Sequence, residues 1–196
     1  MNRKHYGFSE VDLSVPTLEK ELRRVDNRIN FERKLTSTFF IIVVLIAVAV
    51  IISVTLFPVL RIFGSSMEPT LKEGDIVISQ KTGKVSPGDL IAFYYGNKVL
   101  IKRCIAVGGD TVTLNEDGEV FVNGKKLSES YVKNVSKGEL DIDLPYLVPS
   151  DRIFVMGDDR ENSIDSRNAQ IGCVAGEQII GKIKVKVWPL NNFRIF

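Results

Sequence analysis

Histidine is almost missing from this chain of 196 residues, in which His5 is the only one. A serine hydrolase normally needs histidine to take the proton from its nucleophile, so a serine far from His5 must depend on another base. Metal chemistry is equally short of parts. One histidine and two cysteines, Cys104 and Cys173, at a spacing that fits no zinc motif provide no ligand set, so neither metal nor cofactor is expected. Spacing alone does not bring two cysteines within bonding range, and the default for this pair is two free, buried thiols. A surplus of one charge is also lacking. Residues 59–196 hold eighteen basic and eighteen acidic side chains, so the chain has no electrostatic footprint for nucleic acid, and that partner is set aside. No internal repeat or low-complexity stretch is present.

What the chain does have is one long apolar run. Residues 39–57, FFIIVVLIAVAVIISVTLF, contain no charge, and Ser53 and Thr55 are their only polar members. Nineteen helical residues span roughly 28 Å, enough to cross the hydrocarbon core. The expected transmembrane helix covers residues 36–57. It exceeds the apolar region of a signal peptide and lacks a small-x-small cleavage pattern at its end, so it reads as an uncleaved anchor. Arg28, Arg33 and Lys34 precede the run and only Arg61 closely follows it, which assigns residues 1–34 to the cytoplasm and residues 59–196 to the outside of the cell membrane. The tail itself mixes charges and places Leu18, Leu22, Val25 and Ile29 at helical spacing, the pattern of a short solvated or interfacial helix.

Beyond Arg61 the pattern turns to β. Runs rich in β-branched residues at 75–79, 89–95, 99–107, 111–114, 120–122, 152–156 and 179–187 are separated by turn signals. Asn123-Gly124 between two such runs marks a hairpin, because a type I′ turn needs positive φ at both central residues. The expectation is a mainly β domain of antiparallel sheets forming a sandwich or partly closed barrel. A more polar stretch at about 116–146 reads as a small insertion rather than a domain of its own.

Three places carry candidate chemistry. Ser66 lies in Gly64-Ser65-Ser66-Met67-Glu68-Pro69; taken alone it reads first as a turn or cap residue. Gly64 lets the backbone approach a bound carbonyl, and Pro69 fixes the chain just beyond. Lys102 follows Val99-Leu100-Ile101. On a strand it shares a face with Leu100, so it can point inward and lose its proton by desolvation while Arg103 stays wet; a surface lysine is the plain alternative. Residues 156–167, MGDDRENSIDSR, alternate charges directly after an apolar run. Ion pairs of Asp158 or Asp165 with Arg167 would fix such a loop and leave Ser163 free to hydrogen-bond a lysine amine.

These segments share more than their separate chemistry. Ser66-Met67-x-Pro69-Thr70-Leu71, Pro87-Gly88-Asp89 with Phe93, Lys102-Arg103 with Gly108-Gly109-Asp110, and Gly157-Asp158-x-Arg160-x-Asn162-Ser163-x-Asp165-Ser166-Arg167 resemble, in the same order, the sequence boxes of bacterial type I signal peptidases. The resemblance implies a membrane-bound serine endopeptidase with the signal peptidase/LexA-like β fold. Its substrates would be the signal peptides of exported preproteins, cleaved after small residues at −3 and −1, with membrane lipid as its other partner. It makes Ser66 the nucleophile, Lys102 the general base and Ser163 the group that orients the lysine. Asp158, Arg160, Asp165 and Arg167 become the loop scaffold, and Met67, Leu71 and Ile101 line the substrate pockets.

Gly64 stands where some members have an oxyanion-donating serine, which is the pattern of the smaller Gram-positive type. Asp159 and Gly109 stand where Asn and Pro are common. Ser66 lies nine residues past the end of the apolar run, a tether that reaches at most about 30 Å, so the nucleophile is expected near the bilayer surface. The competing readings are a non-catalytic assembly factor or chaperone for surface proteins, and a self-cleaving Ser/Lys protein akin to repressor proteases.

Overall fold

The computed structural model describes residues 15–81 and 84–196. His5 and the first fourteen residues of the expected tail lie outside the described residues. The chain divides into two units after Ile52.

The first unit is helical. One helix, α1 (Val15–Leu56), joins the expected tail helix to the apolar run without a break. At the junction the Thr36 hydroxyl donates to the Glu32 carbonyl oxygen four residues back, at 2.8 Å, and Arg28 pairs with Glu32 at 3.2 Å. Both are i, i+4 contacts, the spacing that places side chains one above another on a helix. Residues 18–56 contain a stretch long and apolar enough to cross a membrane, and its Phe, Ile, Val and Leu side chains are exposed on all sides. An all-round apolar surface suits lipid and not water. Pro58 ends the helix, since it disfavours helical geometry at Phe57 and cannot donate a backbone hydrogen bond.

The second unit is built from β1 (Val59–Arg61), β2 (Ile76–Gln80), β3 (Leu90–Tyr95), β4 (Lys98–Val107), β5 (Thr111–Leu114), β6 (Val120–Val122), β7 (Lys125–Lys126), β8 (Tyr146–Leu147), β9 (Arg152–Met156), β10 (Val174–Ala175), β11 (Ile179–Trp188) and β12 (Arg194–Ile195). Each of the seven expected strands is present with ends within one residue. The short strands β1, β8, β10 and β12 have too few residues to show a pattern and exist because a neighbour pairs with them.

The large sheet runs β1-β2-β11-β3-β4-β9-β10, with β12 added on β11, and all its pairs are antiparallel. Strands β1 and β10 end the path without pairing to each other, so the barrel does not close. A second sheet runs β7-β6-β5-β8. Its β6–β7 hairpin turns at Asn123 and Gly124, with φ of 52° and 75°, the left-handed pair that the type I′ signature requires.

The second sheet contains the expected insertion but is no appendage. Val112 and Val120 pack with Ile105, Phe154 and Met156 of the large sheet in one apolar cluster. A second cluster joins Ile62, Met67, Leu71, Val77, Leu90, Ala92 and Ile183, and so seats the segment around Ser66 on β2, β3 and β11. Burying a side chain such as Leu71 contributes about 1.5–3 kcal/mol. Both cysteines are buried and free, with no disulfide between them.

Candidate active site

Ser66 sits in a tight turn between β1 and β2. Gly64 has φ of 79°, a left-handed value that glycine adopts without strain. The Glu68 N–H donates to Ser65 and the Leu71 N–H to Met67, at 2.8 and 2.9 Å, which winds the chain into a single turn. Ser66 is half-buried and opens on a cleft of about 670 Å³. The cleft is lined by the extended run 59–64 and by 98–102 of β4, and Ser66 and Lys102 both border it. Met67 and Ile101, two of the residues expected in a substrate pocket, line this cleft. Leu71 does not, because it is fully buried in the second apolar cluster beneath the turn.

Lys102 retains only 3% of its surface, and its amine donates to Ser163 Oγ at 2.8 Å. Burial holds the amine down to about 8 from its ordinary 10.5; Asp165, Asp158 and Asp159 oppose that shift, and Arg167 adds to it. A lysine so placed is neutral in a useful fraction near neutral pH, which a surface lysine is not.

Arg103 departs from expectation. Strand alternation predicts a wet side chain, yet Arg103 is 8% exposed. Its Nε and Nη2 donate to the two oxygens of Asp158 at 2.8 and 2.6 Å, and the Tyr131 ring lies 3.8 Å from its guanidinium carbon. A bidentate pair and a stacked ring replace the water that the pattern of β4 alone would assign to it.

The loop after β9 is held at its buried charged positions, Asp158, Arg160, Asp165 and Arg167. Arg167 Nε and Nη2 each donate to Asp165 at 2.8 Å, and Asp165 also accepts the Gly157 N–H at 2.9 Å. Burial raises the pKa of the Asp165 carboxyl, but the Arg167 hydrogen bond and charge, with the Gly157 N–H and Ser163 hydroxyl, outweigh it and hold the group below the usual carboxylate range. Arg160 donates to the Gly157 carbonyl at 3.0 Å and to Glu129 Oε2 at 2.8 Å. Arg167 reaches the Lys137 carbonyl at 2.7 Å. Asp158 therefore pairs with Arg103 and Asp165 with Arg167. Sequence reasoning did not assign roles to Glu129, Tyr131, Arg103 or Thr70. Thr70 and Arg103 had left a signal, as members of the first and third boxes.

Two contacts join this loop to the turn that carries Ser66. The Asp159 N–H donates to the Ser66 carbonyl at 3.1 Å, and the Thr70 hydroxyl donates to Asp158 Oδ2 at 2.5 Å. Gly157 sits where they converge. A Cβ there would stand 2.2 Å from Ser163 Oγ and 2.5 Å from the Ser66 carbonyl oxygen. Gly157→Ala is therefore expected to push Ser163 away from Lys102 and to lower catalytic turnover by at least about 100-fold, since displacements near 1 Å cost about that much. Wild-type kcat in that variant would contradict the packing.

The arrangement can perform acyl transfer: a hydroxyl and a desolvated amine share a cleft, and the second hydroxyl fixes the amine. A peptidase built this way should have relatives. Residues 35–188 match the model of a family described as signal peptidase, peptidase S26. Signal peptidase I T of Bacillus subtilis is 35% identical over 179 residues, covering 83% of this chain and 92% of that protein. Signal peptidase IB of Staphylococcus aureus is 36% identical over 151 residues, covering 67% of this chain and 78% of that one. A crystal structure of a signal peptidase I from Enterococcus faecalis aligns with a TM-score of 0.43 and 33% identity, over 50% of this chain and 96% of that one. With the match running from the apolar helix through β11, the chain belongs to the signal peptidase family, peptidase S26.

Proposed function

We propose that this chain is a membrane-anchored serine endopeptidase that cleaves signal peptides from exported preproteins with a Ser66/Lys102 dyad. One observation carries the reading: Lys102, buried and bonded to Ser163, lines the same cleft as Ser66. Neutral Lys102 takes the proton from Ser66 Oγ as that oxygen attacks the scissile carbonyl. The Ser163 hydroxyl, accepting from the amine, keeps its lone pair aimed at the serine. Backbone N–H groups of the turn, Ser66's among them, stabilise the oxyanion, and Gly64 leaves the approach to them open. The C–N bond then breaks, and the mature protein's amine departs with the proton that Lys102 had taken. Water, deprotonated by the same lysine, attacks the ester; the signal peptide leaves as an acid and the serine is restored.

The cleft wall supports the choice of small residues at −3 and −1. Met67, Ile101, Ile62 and Leu100 form an apolar surface between two extended segments, which suits an extended peptide with small side chains facing inward. The helix α1 serves as the anchor. Its basic flank at Arg28, Arg33 and Lys34 directs the N-terminus to the cytoplasm and the catalytic domain to the outside.

The test is a preprotein incubated with the full chain in detergent across a pH series. Mature product should appear, and kcat/KM should climb about tenfold per pH unit up to pH 8, where Lys102 is half neutral, and level off above it. Intact preprotein at every pH overturns the peptidase reading. A rate that stays flat down to pH 5 overturns the lysine base.

A further inference from the structure

Lys186 lies on β11 and is 2% exposed, so its amine depends on protein partners. It sits 3.2 Å from Asp75 Oδ2 and 3.5 Å from the Thr70 carbonyl oxygen. The same Asp75 oxygen accepts the Lys72 N–H at 3.0 Å. Each member of this buried pair thus reaches the backbone of the segment leading from Ser66 to β2. Replacing a buried ion pair by apolar residues of equal volume is often neutral or stabilising, so global stability is a weak reason for this one.

The contacts suggest a better reason. The turn bearing Ser66 is tied to the loop after β9 at the Ser66 carbonyl and the Thr70 hydroxyl. Both of those ties come from one loop. Lys186 supplies a tie from another direction, and it does so from the sheet that also carries Lys102, in the order β11-β3-β4. Anchoring nucleophile and base to one sheet fixes the distance between them.

We propose that Asp75 and Lys186 are positioning residues, a brace that registers the Ser66 turn against the sheet holding Lys102. The proposal rests on the Ser66/Lys102 reading. An apolar pair fills the same volume but leaves the Thr70 carbonyl and the Lys72 N–H without these partners. Placement of the serine should therefore degrade while the fold persists.

The experiment compares full-length wild type, Ser66→Ala, Lys186→Arg and the double variant Asp75→Leu/Lys186→Met in detergent, measuring preprotein cleavage and thermal unfolding. The double variant should unfold within a few degrees of wild type, with KM within twofold and kcat at least tenfold lower. Lys186→Arg, which keeps the charge and the pairing, should recover most of the loss. Wild-type kcat in the double variant, with Ser66→Ala inactive, overturns the brace and leaves the dyad standing. Cleavage by Ser66→Ala overturns the dyad and the brace together. If the double variant shows no cooperative unfolding, Asp75→Asn, which keeps an acceptor for the Lys72 N–H but removes the charge facing Lys186, decides at a temperature where it is fully folded: kcat at least tenfold lower with KM within twofold supports the brace, and wild-type kcat overturns it.

Discussion

Ser66→Ala and Lys102→Met are each expected to lower kcat/KM for preprotein cleavage by at least about four orders of magnitude, and the double variant should be no worse than either alone. Groups that act as one unit lose their joint effect when either is removed, so the losses do not add. Ser66→Ala should leave thermal unfolding almost unchanged, because the hydroxyl is half-buried at the cleft.

Lys102→Met carries a second, opposite signature. In the folded chain the amine titrates near 8 and in the unfolded chain near 10.5. Between those values the unfolded state binds a proton that the folded state does not, so wild-type stability rises with pH across that window by roughly 3 kcal/mol, at 1.36 kcal/mol per unit. Below pH 8 both states are protonated and the contribution is flat. Lys102→Met removes this dependence while conserving most of the side-chain volume. Its unfolding midpoint should equal or exceed that of wild type at pH 7, and the difference should shrink as pH rises to 10. A methionine variant that shows the wild-type rise between pH 8 and 10 would mean that the titrating group is another residue.

How far the sequence reveals this site depends on how local each contact is. Strand β4 was legible because apolar residues, several of them β-branched, fill most of its ten positions, and Ser66, Lys102 and Ser163 were legible because their boxes occur in a recognisable order. The inward aim of Lys102 followed from alternation with Leu100. Arg103 was misread for the same reason: alternation describes one strand and does not know that Tyr131 and Asp158 cover its second face.

Glu129 belongs to a stretch whose composition suggests a solvated loop, yet it meets Arg160 thirty-one positions on. Lys186 looks like one of several lysines in IIGKIKVKVW, and nothing in that run marks it as the one that is buried. Each of these contacts is made across the fold, after the strands have chosen their neighbours. Leu71 was placed in the pocket because it lies in the first box, whereas the turn points it into the core.

The Asp158–Arg103 pair is where the largest loss of stability is expected. Asp158 is completely enclosed and Arg103 nearly so, with Oδ1 and Oδ2 both taken by the guanidinium and Oδ2 also by Thr70. Asp158→Ala leaves a buried cation without its counter-charge and the Thr70 hydroxyl without its acceptor. Losing one partner of a buried pair costs about 3–5 kcal/mol, a large share of the 5–15 kcal/mol that typically holds a domain together. For a domain of this size that corresponds to a fall of roughly 10 °C in unfolding temperature.

Arg103→Met alone should cost a comparable amount. The Asp158→Leu/Arg103→Met pair should recover much of it, because no charge is then left unpaired. The pH profile separates packing from electrostatics. Asp158 raises the Lys102 pKa, so its removal should shift the rise in kcat/KM toward lower pH, whereas loosening of the fold alone would scale the rate without moving the midpoint. A variant that melts with wild type would show that Asp158 does not hold the turn that carries Ser66, and one whose profile moves to higher pH would show that it does not raise the Lys102 pKa.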